Sequence, residues 1–156
     1  MANYLKAGDV INGKEGSVYA NINGKLVNML DIKKLDAKVE KQKSDIPVLG
    51  FRGMQTKAKG FKGSGSATAY YISSEFRRMM LEYMNTGIDT YFTIIVTNAD
   101  PNTDLGSQQI QLNNVNLDSI SIAKIDIDAD NLDEEFNFTF DNAIPLKLFD
   151  RPSYFD

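Results

Sequence analysis

Apolar and polar residues alternate with a period of two through most of this chain, which is the signature of strands with one buried face. Ser17–Ile22 alternates in this way and runs into Asn23-Gly24, a two-residue hairpin signal. Leu26–Lys43 contains good helix formers. However, Leu35, Ala37 and Val39 alternate with Asp36, Lys38 and Glu40, so the spacing predicts a strand. Further strands are predicted over Ser66–Ile72, Thr90–Asn98, Gln108–Asn113, Leu117–Asp128 and Glu135–Phe140. In the last of these, Phe136, Phe138 and Phe140 share one face. Within Leu117–Asp128 the phase switches between Ile120/Ile122 and Ile125/Ile127, which predicts a bulge or bend.

One segment has a helical period instead. Phe76, Met79, Met80, Tyr83 and Met84 fall at i, i+3, i+4, i+7 and i+8, predicting a helix over about 74–86 that packs this stripe onto a sheet. Arg77 and Arg78 then face solvent. Serines precede the segment and Gly87 follows it, as suits its two caps. Residues 43–65 show no apolar period. With Gly50, Gly53, Gly60, Gly63 and Gly65 beside Arg52, Lys57, Lys59 and Lys62, they read as a long, mobile basic loop. The expected fold is mainly β (α+β): an antiparallel sandwich or barrel, one flanking helix, and this loop. Residues 1–156 form a single domain that includes an N-terminal arm of about residues 1–16.

Composition removes much chemistry. The 156 residues include no Cys and no His, so disulfides, thiolate nucleophiles, His-based triads and the usual zinc or haem ligands are unavailable. Three weaker motifs also fail. Asp126, Asp128 and Asp130 match the start of a calcium loop, but Asn131 replaces its glycine and Asn137 its bidentate glutamate. Gly60–Ser66 lacks Walker spacing and leads into a strand. No carboxylate pair stands out for glycoside hydrolysis, and there is no Trp to stack on a sugar. No enzyme activity, metal or cofactor is expected.

Charge is unevenly distributed. The net −4 splits into 12 Lys/Arg against 6 Asp/Glu over residues 1–70, and 5 against 15 over residues 71–156. Opposite charge in two halves suits repeated head-to-tail contact between copies. The opening residues show no secretory signal and no apolar run is long enough for a membrane anchor, so synthesis is expected in the cytoplasm. Physics alone gives a β-rich module suited to self-assembly, or else a monomeric module binding a carbohydrate or polyanion through Lys57, Lys59 and Lys62.

A longer pattern narrows this. Gly13-Lys14-Glu15-Gly16, Val39–Ser44, Gly50-Phe51-Arg52, Gly63–Thr68, the helix Phe76–Tyr83 and Gly87–Thr93 occur in one order. Leu112–Ser119, the acidic stretch Asp126–Glu135, Phe136–Phe140 and Pro145–Leu148 follow. Together they resemble the tail-tube proteins of contractile phage tails, in particular the XkdM-like family of PBSX-type prophages, over nearly the whole chain. The resemblance implies hexameric rings with a continuous inner β-barrel, stacked head to tail into a conduit. Sheath contraction would drive that conduit through a bacterial envelope for DNA delivery. The implied partners are other copies of the chain and the sheath, tape-measure, baseplate and tail-terminator proteins, with DNA passing unbound. A contractile bacteriocin that depolarises its target would use the same tube. In either particle Arg52, Lys57, Lys59 and Lys62 would reach the adjacent ring, and Asp126 and Asp128 would face the lumen.

Overall fold

Strand alternation becomes burial alternation in a computed structural model, which describes residues 5–151. A short 3-10 turn (Ala7–Asp9) precedes β1 (Gly16–Ile22), β2 (Lys25–Asn28), β3 (Ile32–Ile46) and β4 (Gln55–Tyr70). Helix α1 (Glu75–Thr86) is followed by β5 (Phe92–Ala99), β6 (Ser107–Ser119), β7 (Asp133–Phe140) and β8 (Asn142–Lys147). All pairings are antiparallel, in the order β2-β1-β5-β6-β7-β4-β3, and β8 pairs with β6. The Asn23-Gly24 turn has positive φ at both residues (52° and 83°), as the tight hairpin requires.

Strand β6 joins the two halves of the sheet. Its first part pairs with β5 and β8, and its last residues pair with β7. The bend lies near Asn114, which has φ 53°, and not among the later isoleucines. Phe136, Phe138 and Phe140 all point into the core, as expected. Opposite them on β4 stand Ala67, Gly65 and Gly63, so large side chains on one strand fill the space left by small ones on the next. A Cβ at Gly65 would lie 2.4 Å from the Phe138 ring and 2.8 Å from the Asp36 carbonyl oxygen. Gly65→Ala should therefore destabilise the fold by about 1–3 kcal/mol through overpacking. A urea midpoint equal to that of the wild type would contradict this.

Helix α1 closes the core through Phe76, whose ring centroid lies 5.3 Å from Phe92 and 5.0 Å from Phe136. Gly87 ends it in the left-handed conformation, donating its N–H to the Tyr83 carbonyl. The packing stripe is shorter than its spacing implied. Phe76 and Met79 are buried and Met80 half-buried, but Tyr83 and Met84 are exposed; an open cleft separates Met79, Met80 and Tyr83 from Asn116 and Leu117 of β6.

Three sequence expectations need correction. Residues 43–65 are mostly strand: β3 continues to Ile46, β4 begins at Gln55, and only residues 47–54 turn between them. No apolar alternation marks this hairpin because neither of its faces is buried in the subunit. Leu117–Asp128 is not one strand, since β6 stops at Ser119 and residues 120–132 are irregular. Leu26–Lys43 is broken into β2 and β3 at Met29–Asp31. The edge strand β8 was hidden from sequence reasoning by Pro145.

Candidate assembly surfaces

The β3–β4 hairpin extends beyond the rest of the sheet. β7 accompanies β4 only from Tyr70 to Gly63, where Gly63 faces Phe140. Beyond that point, from the Glu40–Lys62 pair to the Ile46–Gln55 pair, the two strands bond only to each other among the described residues. Lys59 is the extra residue at the register shift between Gln42 and Lys43. A two-stranded hairpin alone in water is marginally stable. This one also displays Leu49, Phe51, Met54 and Phe61 to solvent. The candidate residues Arg52, Lys57, Lys59 and Lys62 all lie on it and are exposed: Arg52 in the tip, the lysines on β4. Over residues 40–62 there are six Lys/Arg and two Asp/Glu.

Asp126 and Asp128 are brought together elsewhere. They lie in the exposed irregular segment between β6 and β7, where the Asp128 N–H donates to Asp126 Oδ1 at 3.0 Å. The strand face that was to carry them is absent. Among the described residues no three acidic or other metal-ligating side chains form a metal-holding cluster. This segment lies at the end of β7 opposite the hairpin arm, as do Ile32 of β3, Tyr70 of β4 and the start of α1.

A polar cluster missed in the sequence secures that end. Arg77 is buried, not solvent-facing: it pairs with buried Glu134, donates to the carbonyls of Ser73 and Ser121, and stacks 4.3 Å from the Tyr71 ring. Glu134 shares the inward phase of Phe136, Phe138 and Phe140, and this placement was a readable signal for a buried carboxylate. Beside it, Lys33 donates to Asp133 at 2.8 Å. That hydrogen bond holds the lysine's pKa above its ordinary value.

Asp100 ties down the segment before β1. Its carboxylate accepts the N–H groups of Asn12 and Asn102, both at 2.9 Å, and these bonds hold its pKa below the usual carboxylate value. A lowered folded-state value means the tether is intact above the ordinary carboxylate range and is lost as pH falls through the lowered one. Asp100→Ala should speed tryptic cleavage after Lys6 and Lys14, which are already exposed, by loosening the backbone around them, while leaving the β-core resistant. Unchanged cleavage kinetics would contradict the tether. Of the expected arm over residues 1–16, residues 1–4 lie outside the described part.

Three strands, β2, β3 and β8, each have one bonded neighbour among the described residues. The 15-residue β3 is a long open edge, carrying Lys33, Lys34, Lys38, Lys41 and Lys43. Open edges and an arm without a third strand among the described residues leave backbone hydrogen-bonding groups unpaired within the subunit. The family model described as "Phage tail tube protein" matches residues 3–145. The chain belongs to the phage tail tube family. It is 39% identical over 147 residues to the phage-like element PBSX protein XkdM of Bacillus subtilis strain 168, covering 94% of this chain and 97% of that one. An uncharacterized protein of the same strain, YqbM, is 38% identical over 145 residues, covering 92% and 96%.

The fold of this tail tube protein is shared by far more distant chains. A chain in the anti-feeding prophage baseplate has a TM-score of 0.65 at 10% identity, covering 94% of this chain and 97% of that one. The SPP1 tail tube gives 0.63 at 8% identity, covering 93% and 83%. The mostly antiparallel sheet with one helix is thus the tail-tube fold.

Proposed function

We propose that this tail tube protein forms the inner conduit of a contractile injection apparatus, as hexameric rings stacked head to tail. The observation that carries this reading is the hairpin arm, which among the described residues has no third strand and no core beneath it. A neighbouring copy supplies what the arm lacks. Arg52, Lys57, Lys59 and Lys62 are its charged contacts to the adjacent ring. The open edges of β2, β3 and β8 pair laterally, so that ring closure removes them.

The role is mechanical. Rings transmit axial load while sheath contraction drives the tube through an envelope, and no step requires a catalytic group. Sheath, tape-measure, baseplate and terminator proteins are the expected partners. Asp126 and Asp128, at the end away from the arm, are better suited to the contact between rings than to the lumen wall. DNA delivery is the reading favoured by the likeness to a phage-like element. A tube that passes no DNA differs only in its particle, and a capsid in the producing particle decides between them. Negative-stain microscopy with light-scattering mass is the direct test. Rings or tubes are expected, and a stable 17.4 kDa monomer under nucleating conditions would contradict the proposal.

A further inference from the structure

If the arm bridges rings, its tip needs a receiving site, and the geometry limits where that site lies. The β3–β4 pair runs from Ile32–Ala69 at one end to Ile46–Gln55 at the other. β3 alone has 15 residues and so spans roughly 50 Å. The tip therefore points away from the body of its own subunit. In a head-to-tail repeat the two complementary patches must lie on different surfaces of one copy, and a stack that advances along the arm's direction puts the receiving site toward the opposite end.

An apolar groove is open there. It has a volume of about 320 Å³ and lies between the β2–β3 turn and the start of α1, with Ile22, Leu30, Ile72 and Phe76 in its lining. Asp31 and Glu75 also line it, and the Glu75 carboxylate accepts from Arg78 at 3.3 Å. Leu30 is 85% exposed and Ile72 78% exposed, so both offer apolar surface at the groove. The arm's tip complements this site in both respects. Residues 47–54 contain Val48, Leu49, Phe51 and Met54, with Leu49 fully exposed, and their only charged residue is Arg52. Asp126, Asp128 and Asp130 also lie at the receiving end, where Lys33 is already paired with Asp133 and Arg78 with Glu75, against the excess of Lys and Arg along the arm.

We infer that the tip of each arm docks in the Leu30–Ile72 groove of a second copy in the next ring. Leu49 and Phe51 enter the groove and Arg52 lies against Asp31. The inference rests on the tube reading and adds the receiving site. Each contact reproduces the same two free surfaces at the outer ends of the pair, so the stack extends without closing.

The chain contains no cysteine, so cross-linking needs no background removal. Leu49→Cys combined with Ile72→Cys, both at exposed positions that leave the core intact, is assembled and bridged with a short bis-maleimide. A ladder of covalent multimers is expected from the double variant and not from either single one. Leu49→Cys with Ile144→Cys, on β8, is the comparison. Tubes visible by microscopy without a ladder, or with an equal ladder from the β8 pair, would overturn the docking site and leave the tube reading standing. Failure of the wild-type chain to form rings or tubes under any nucleating condition would overturn both.

Discussion

Glu134→Ala is expected to destabilise the folded subunit by about 3–5 kcal/mol, because it leaves the Arg77 guanidinium buried without its counter-charge. For a chain of this size that corresponds to a fall in melting temperature of roughly 6–20 °C. The effect is large because Arg77 links several elements. Its guanidinium bonds α1 to β7, to the Ser73 carbonyl just before the helix and to the Ser121 carbonyl after β6. The compensating variant is as informative. Arg77→Met with Glu134→Leu removes both charges and keeps apolar volume, so it should recover most of the loss. Thermal unfolding followed by circular dichroism measures both. A loss below about 1 kcal/mol for Glu134→Ala would mean that water reaches the pair and that the cluster does not hold that end together.

Removing the arm should have the opposite signature: stability retained and assembly lost. Glu40 and Lys62 face each other across β3 and β4, so residues 41–61 can be replaced by an Asn-Gly turn without disturbing the register below. None of the deleted residues belongs to the buried core. The truncated chain should therefore melt close to the wild type. It should also fail to sediment as long particles if, as proposed, the basic residues and apolar tip of the arm make the contact between rings. Long tubes from the truncated chain would show that ring stacking uses another surface.

The fold was legible where one strand face is buried and illegible where neither is. Phe136, Phe138 and Phe140 alternate because the core takes every second side chain, and the same logic identified β1, β5 and β7. The arm gave no such signal. Gly60 and Lys57 are in strand, but hydrophobic periodicity reports burial and not strand conformation. Ile125 and Ile127 misled for the converse reason: they are apolar and almost fully exposed, so their spacing reflects no core within this subunit. Tyr83 and Met84 continue a helical stripe past the edge of what it covers. In each case the missing surface is one that another copy could provide. The candidate site was legible only in kind: the basic residues on the arm were identified, but the acidic end and its groove emerge only when Leu30, Ile72 and Glu75 come together in space.

The most direct measurement of the central claim is a helical cryo-EM reconstruction of particles assembled from the purified wild-type chain. Six-fold rings in a continuous stack are expected, with β3 and β4 of each copy reaching into the neighbouring ring. Uniform monomers under nucleating conditions, or a stack in which the arms contact only their own ring, would contradict it.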